Sequence, residues 1–186
     1  MADLIADIFV SLDGYAGGEN VGPFFGLGGP ELDERLHEVL DEAQLVLMGR
    51  YTYLAMAGIS MPGADEVSRR MNERPKAVVS NTLSEPLEWE NTQLISGDLG
   101  ASISALKQAS EVPIRTIGSM ALVSSLMKLG LVDLLRVTIF PLTLGPDGRE
   151  PLYAGFPRGE FELVTNRVLD NRLVMLEYRP GASAPS

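Results

Sequence analysis

Short apolar runs alternate with amphipathic segments along almost the whole chain, and this alternation limits the folds available to it. Runs such as Leu4 to Leu12 and Leu45 to Met48 are short, apolar and bounded by glycine, which predicts buried strands. The segment over residues 30–43 repeats its apolar side chains at helical spacing, behind a proline suited to the first helical position. Buried strands that alternate with helices predict an α/β fold with a mostly parallel sheet.

The predicted elements continue to the end of the chain without a linker, a repeat or a low-complexity block. Further strands are predicted over residues 76–79, 93–95, 114–117 and 134–140, and further helices from residue 51 and over 65–72, 99–108 and 122–129. Two strands over 160–168 and 172–178, around the turn pair Asp170-Asn171, predict an antiparallel edge. Residues 13–30 are rich in glycine and predict a long loop. We expect one domain over residues 1–180 and a loose tail over 181–186.

Composition excludes several classes of function. The chain has no cysteine and a single histidine, His37, so disulfides, thiolate metal sites and multi-histidine metal sites are excluded. The formal net charge of −10 disfavours nucleic acid as a partner but allows a phosphorylated small ligand. No run is long and apolar enough to span a bilayer, and the acidic N-terminus is unlike a signal peptide. We expect a cytoplasmic protein that uses no metal and no membrane.

Three predicted strands end in small or polar residues that are followed by a helix or a turn. These ends are Gly49-Arg50-Tyr51-Thr52, Ser80-Asn81-Thr82 and Gly118-Ser119-Met120. Ligands bind beyond the carboxyl ends of strands in an open α/β sheet, and free amide groups at helix starts bind anions. Each segment alone is also typical of an ordinary strand-to-helix turn. Three of them at one sheet edge favour a dinucleotide site, although the G-x-G-x-x-G fingerprint is absent.

The ordered set of motifs resembles the dihydrofolate reductase-like family. The segments that carry the resemblance are Ser11-Leu12-Asp13-Gly14, Met48 to Tyr53, Val79 to Leu83, Ile117-Gly118-Ser119, Leu129 to Asp133, and Pro141 to Gly145. The resemblance covers about Leu4 to Tyr178 and is closer to the pyrimidine reductases of riboflavin biosynthesis than to folate reductases. It implies a three-layer αβα fold and a hydride transferred from NADPH, in preference to NADH.

The resemblance also implies a role for each matched position. The expected cofactor-binding residues are Gly49, Arg50 and Thr52 at the phosphates, Ser80 and Asn81 at the adenosine ribose and its 2′-phosphate, and Gly118, Ser119, Met120, Ala121 and Leu122 at the pyrophosphate. Ser11 and Asp13 would lie near the nicotinamide and the substrate. The chain departs from the family pattern twice, with Ser119 in place of a second glycine and Asn81 in place of a basic residue. The second departure weakens the case for NADPH over NADH and leaves Arg50 as the main candidate for the 2′-phosphate.

Asp13 and Asp33 are the candidate catalytic and substrate-binding carboxylates. Asp33 precedes Gly49 at about the distance at which folate reductases keep a substrate-binding acid. At the edge of an apolar helix face it would be half buried, with a raised pKa; the alternative is a first-turn helix acid in water. Asp13 is equally typical of a turn. For His37, Phe24, Phe25 and Trp89, surface exposure or packing is favoured over a role at the substrate.

The expected function is therefore an NADPH-dependent reductase that resembles 5-amino-6-(5-phosphoribosylamino)uracil reductase of riboflavin biosynthesis. Two alternatives stay open, because a fold does not fix a function. One is a reductase of another heterocycle, such as dihydrofolate, with a pterin-like substrate. The other is a nucleotide-binding or sensing protein without catalysis. The resemblance also implies a homodimer, for which the apolar C-terminal strands would supply an interface.

Overall fold

The structure is a computed structural model that describes residues 1–181 of the protein. The predicted loose tail falls on residues 182–186, which lie outside the described residues, and on Gly181. The ten strands among the described residues are β1 (Leu4–Ser11), β2 (Tyr15–Gly18), β3 (Leu45–Gly49), β4 (Lys76–Val79), β5 (Thr92–Ile95), β6 (Ile114–Thr116), β7 (Leu134–Phe140), β8 (Gly148–Pro151), β9 (Phe161–Leu169) and β10 (Leu173–Pro180). The α-helices are α1 (Pro30–Asp41), α2 (Arg50–Ser60), α3 (Glu66–Glu73), α4 (Leu99–Ala109) and α5 (Met120–Lys128).

Eight strands form the main sheet, in the order β5-β4-β3-β6-β1-β7-β10-β9. The six strands from β5 to β7 run parallel, and β10 and β9 add an antiparallel edge. This arrangement confirms the predicted α/β class, the mostly parallel sheet and the antiparallel C-terminal edge. Strands from both ends of the chain share this one sheet, which supports our proposal of a single domain.

Helices cover both faces of the parallel part of the sheet, which gives the predicted three layers. Alternate side chains of β1, such as Ala6 and Val10, are buried with apolar residues of α4 and α5. On the opposite face, Met48 of β3 packs with Tyr53 of α2 and Met71 of α3. Both faces of β3 are fully buried, as the uninterrupted apolar run over residues 45–48 predicts.

A separate two-stranded ribbon, formed by β2 and β8, was not predicted. Tyr15 of β2 pairs with Pro151 of β8, and Gly18 pairs with Gly148. The predicted long, partly ordered loop over residues 13–30 therefore contains one strand, β2, that the sequence pattern did not indicate. Each strand has only four residues and no apolar alternation, so the sequence pattern carried no signal for either.

The aromatic residues singled out in the sequence pack into the structure. Phe24 lies 5.5 Å from Phe9 and Phe25 lies 5.1 Å from Phe140, measured between ring centroids. Trp89 is buried, and its indole N–H donates a hydrogen bond of 2.7 Å to the side chain of Asn72. These contacts favour the packing interpretation for all three predicted residues over a stacking surface for a ligand.

Candidate active site

The ends of β3, β4 and β6 meet at one edge of the sheet, because β3 lies between β4 and β6. The amide of Gly49, at the end of β3, donates a hydrogen bond of 3.2 Å to the carbonyl oxygen of Gly118, which follows β6. Two of the three predicted segments are therefore in direct contact, and the third, at Ser80 and Asn81, follows the next strand along.

The space around both contact points favours glycine. A Cβ on Gly118 would lie 2.9 Å from Oγ1 of Thr52, and a Cβ on Gly49 would lie 2.8 Å from Oγ of Ser119. Gly118 also has a φ of +116°, a backbone angle that residues with a side chain rarely adopt. The peptide bond between Gly118 and Ser119 is cis. The side chains of Thr52 and Ser119 thus occupy the space that a Cβ at Gly118 or Gly49 would need.

The helices α2 and α5 begin at this edge without a side-chain cap. Neither of their N-cap residues, Gly49 and Ser119, accepts a side-chain hydrogen bond from the first-turn amides. The other three helices are all capped by a carboxylate: Asp65 caps α3, Asp98 caps α4, and Asp170 accepts hydrogen bonds from the first turn of α1. The two uncapped helix starts therefore leave amide donors free to bind an anion.

Arg50, the first residue of α2, adds a positive charge to this edge. Its guanidinium carbon lies 4.7 Å from the centroid of the Tyr51 ring. Within residues 1–181 the Arg50 side chain forms no ion pair with a carboxylate, unlike Arg35 or Arg70 on neighbouring helices. A guanidinium that stacks on an aromatic ring and has no internal anion suits an external phosphate.

The segment after β4 is held by its own side chains. The Ser80 hydroxyl oxygen accepts hydrogen bonds of 3.1 Å from the amides of Thr82 and Leu83. Asn81 is exposed, and its Oδ1 accepts a hydrogen bond of 2.8 Å from the amide of Gly97. The amide nitrogen of Asn81 donates no hydrogen bond within residues 1–181, so it is available to a ribose or a phosphate.

A cavity of about 450 Å³ opens beside these helix starts. The strands β1 and β6 pair only from Leu4–Ile114 to Ala6–Thr116, whereas β1 continues to pair with β7 as far as Ser11. The sheet therefore splits above Thr116, at the point where the strand order changes direction, which is where ligands bind in such sheets. The lining residues come from β1, α2, the β6–α5 turn and the β2–β8 ribbon, and include Asp7, Phe9, Thr52, Met56, Arg115, Ile117, Gly118, Ser119, Met120 and Glu150.

A larger cavity of about 670 Å³ lies at the opposite edge of the sheet, near Asp3 and Leu134. It is lined by none of the predicted site residues, and it lies at the amino ends of β1 and β7. The smaller cavity is therefore the candidate active site, because it joins the uncapped helix starts to the gap in the sheet.

Asp13 is bound to the protein's own backbone. Its carboxylate accepts hydrogen bonds from the Ser11 hydroxyl at 2.6 Å, from the amide of Gly145 at 2.8 Å and from the amide of Leu144 at 3.1 Å. The bond from Ser11, followed by the bond from Gly145, holds the pKa of Asp13 below its ordinary value of 3.8. An ionised Asp13 thus fixes the segment after β7 to the end of β1, and its role toward a substrate stays a prediction.

Replacing Asp13 by asparagine should reduce stability at neutral pH and leave it almost unchanged in acid. The folded-state pKa lies below 3.8, so the carboxylate stabilises the folded chain above that pH, and this contribution is lost as the pH falls through the folded-state pKa. Thermal unfolding of both proteins across this range measures the difference. Asp33→Asn is the control, because the Asp33 side chain is exposed and accepts no hydrogen bond within residues 1–181. A pH-independent difference between Asp13→Asn and the parent protein would contradict this account.

Asp33 lies away from the cavity. Its side chain is exposed in the first turn of α1, so the expectation of a half-buried carboxylate is wrong and the alternative, a first-turn helix acid, describes its position. The buried face of α1 is formed by Leu32 and Val39, which turns Asp33 toward solvent. His37 is exposed as well, and its Nδ1 lies 2.8 Å from the carbonyl oxygen of Asp33. A role for Asp33 toward substrate stays a prediction that its surroundings do not support.

The charged residues of the cavity floor were missed in the sequence. Asp7 of β1 and Arg115 of β6 line the cavity and form an ion pair of 2.9 Å. Arg136 of β7 also contacts Asp7, at 3.1 Å, and Glu177 of β10, at 2.6 Å. The available signal was that each of these charges interrupts an apolar strand. Their pairing could not be predicted without the order of the strands in the sheet.

No group of three or more His, Asp or Glu side chains within residues 1–181 is arranged to hold a metal ion. No helix there is long and apolar enough to cross a membrane.

Comparisons with known proteins identify the family. Residues 2–175 match the model of the RibD C-terminal domain. The chain is 25% identical to YyaP of Bacillus subtilis, a protein of uncharacterised function, over 182 residues that cover 94% of this chain and 93% of the relative.

Two solved structures share the fold. A Shewanella sp. PV-4 protein named for riboflavin biosynthesis has a TM-score of 0.68 and 25% identity, covering 98% of this chain and 100% of that one. Dihydrofolate reductase from Enterococcus faecalis, solved with NADP(H), has a TM-score of 0.63 and 15% identity, covering 97% of each chain. The motif resemblance and the dihydrofolate reductase-like fold are confirmed, and the chain belongs to the RibD C-terminal domain family.

Proposed function

We propose that this protein is an NADPH-dependent reductase that transfers a hydride to a pyrimidine-type substrate of riboflavin biosynthesis. The observation that carries the proposal is the contact between two uncapped helix starts, at Gly49 and Gly118, beside the free guanidinium of Arg50. Membership of the RibD C-terminal domain family and the likeness to a protein named for riboflavin biosynthesis support a reductase with such a substrate.

The residues at this edge fit a dinucleotide. Amide donors of α2 and α5 suit the pyrophosphate, and glycine at positions 49 and 118 adds no side chain that could keep a phosphate from the backbone. We assign Gly49, Arg50 and Thr52 to the phosphates, with Arg50 at the 2′-phosphate, Ser80 and Asn81 to the adenosine ribose, and Gly118 to Leu122 to the pyrophosphate. The side chain of Leu122 belongs to the core, so only its amide takes part. The likeness to a reductase solved with NADP(H) supports this choice of cofactor.

The chain's own contribution to the reaction is position and environment. When bound, the nicotinamide supplies the hydride, and the protein supplies the geometry. Phe9, Met56 and Ile117 form apolar walls of the cavity, which favour a flat ring and exclude water. Asp13 is ionised at neutral pH, so it is suited to orient a substrate and not to donate a proton to it. The gap between β1 and β6 would hold the substrate beside the nicotinamide.

Replacing Arg50 by glutamine should weaken NADPH binding much more than NADH binding. A charge-assisted hydrogen bond to the 2′-phosphate contributes about 1.5–3 kcal/mol, so we expect the Kd of NADPH to rise about 10- to 100-fold. The Kd of NADH should change by less than about threefold, because NADH lacks this phosphate. Isothermal titration calorimetry measures both. Arg69→Gln, which removes an exposed arginine on α3, is the matched control. Equal losses for the two cofactors would place the 2′-phosphate elsewhere.

The reductase itself is tested by substrate-dependent oxidation of NADPH. Turnover with 5-amino-6-(5-phosphoribosylamino)uracil and none with dihydrofolate supports the proposal. The reverse result favours the dihydrofolate alternative, for which the fold likeness to dihydrofolate reductase is the supporting observation. Binding without turnover on any heterocycle favours a sensing protein. A folded chain that binds neither NADPH nor NADH would overturn the proposal.

We also propose a homodimer. The strand β9 leaves apolar side chains exposed along the edge of the sheet, including Phe161, Leu163, Val164 and Val168. An exposed apolar edge strand is a natural site for pairing with a second chain.

A further inference from the structure

The floor of the candidate active site contains a buried ionic network that crosses four neighbouring strands. Asp7 is at its centre, with only 4% of its side chain exposed. Nε of Arg115 and Nη1 of Arg136 donate hydrogen bonds of 2.9 and 3.1 Å to the same oxygen, Oδ2. Nε of Arg136 donates a bond of 2.6 Å to Glu177. Two carboxylates and two guanidinium groups cancel, so the network carries no net charge.

The two oxygens of Asp7 differ sharply. Oδ2 accepts both arginine bonds, whereas Oδ1 is buried and has no hydrogen-bond partner within residues 1–181. A buried carboxylate oxygen without a donor is costly, and such groups are rare in folded proteins. Asp7 lines the candidate active site, so this carboxylate lies in the wall of the cavity.

Arg115 likewise has hydrogen-bond donors without a partner among residues 1–181. Its side chain lines the cavity, and of its donors only Nε is engaged, by Asp7. Nη1 and Nη2 make no hydrogen bond within the described part of the chain. Asp7 and Arg115, joined by the bond from Nε to Oδ2, therefore lie side by side on the cavity floor.

We propose that Asp7 and Arg115 determine substrate specificity by binding the polar edge of a neutral heterocycle in which a ring N–H stands next to a carbonyl group. The N–H donates to Oδ1 of Asp7, and the carbonyl oxygen accepts from Arg115. Uracil and pterin rings both present this N–H and carbonyl pair. The inference rests on the proposed function, since it names the group that this site binds, and it assigns to Asp7 the substrate-binding part predicted for Asp33.

A matched pair of ligands tests the proposal. 5,6-Diaminouracil has ring N–H groups next to its carbonyls, and 5,6-diamino-1,3-dimethyluracil keeps the carbonyls but has no ring N–H. With the protein saturated with NADPH, we expect the first ligand to bind at least about tenfold more tightly, because a hydrogen bond to a carboxylate is lost with the second. In Asp7→Asn this preference should fall to less than about twofold, with the Kd of NADPH unchanged.

Two further variants separate recognition from folding. Glu177→Gln alters the same network without touching the cavity, so it should keep the preference. Arg115→Met keeps the Asp7–Arg136 pair and should weaken both ligands equally, which provides a readout if Asp7→Asn fails to fold. The inference is overturned if 5,6-diaminouracil binds no better than its dimethyl analogue, or if both Asp7→Asn and Arg115→Met bind the two ligands as the parent protein does. Loss of NADPH binding in the parent protein would instead overturn the proposed function.

Discussion

Replacing Gly118 by alanine is expected to abolish cofactor-dependent activity. The new Cβ would lie 2.9 Å from Oγ1 of Thr52, so the Thr52 side chain or the turn between β6 and α5 must shift, and it would stand on a residue with a φ of +116°. A displacement of about 1 Å at a positioning group lowers rates about 100-fold, and we expect kcat/KM for NADPH to fall by at least that factor. Holding a side chain at such a φ also costs about 1–3 kcal/mol of stability.

The effect of Gly118→Ala must be separated from a general effect of adding a methyl group. Gly58, in α2, offers the control: a Cβ there meets no atom within 4 Å, and its backbone is helical. Gly58→Ala should therefore bind NADPH as the parent protein does and should unfold at the same or a slightly higher temperature. Calorimetric titration with NADPH measures binding in both variants. A Gly118→Ala protein that binds NADPH normally would show that this turn does not hold the phosphates.

The periodic parts of the fold could be predicted from the sequence, and the irregular parts could not. Fully apolar runs such as residues 45–48 identify buried strands, because both faces of a parallel strand are covered. The ribbon of β2 and β8 carries no such pattern and exists through pairing between residues at least 130 positions apart. Pairing between distant segments is set by tertiary packing, which a local reading of the chain does not contain.

The candidate site divides in the same way. Gly49 and Gly118 could be predicted as site residues from residue type, because a glycine at a strand end is typical of a close approach to the backbone. The distance of Asp33 from Gly49 along the chain predicts a substrate-binding carboxylate, but the rotation of α1, fixed by the burial of Leu32, turns this side chain toward water. Asp7 and Arg115 could not be predicted as site residues, because the partner of a single charge inside an apolar run depends on which strand lies beside it. Residue type thus predicted the cofactor side, and strand order was needed for the substrate side.

Arg136 joins the parallel and antiparallel parts of the sheet, and its replacement by methionine should destabilise the protein strongly. Arg136 is buried, and it contacts Asp7 of β1 and Glu177 of β10 at 3.1 and 2.6 Å. Its loss leaves Glu177, with 14% of its side chain exposed, without the cation that compensates its charge. Breaking a buried pair from one side costs about 3–5 kcal/mol, a large part of the stability of an ordinary domain.

The double variant Arg136→Met, Glu177→Leu distinguishes loss of charge pairing from loss of packing. It removes the cation together with the carboxylate that it compensates, and it leaves Asp7 paired with Arg115, so no charge is stranded. Replacing a buried ion pair by apolar side chains of similar volume is often neutral, and we expect the double variant to lie within about 2 kcal/mol of the parent protein. Urea unfolding followed by circular dichroism measures all three free energies. If the double variant is as unstable as Arg136→Met alone, the arginine contributes through packing and not through its charge. Recovery of stability in the double variant would show that the balance of charges maintains the network on the cavity floor. This balance would then offset the cost of the unpaired oxygen of Asp7.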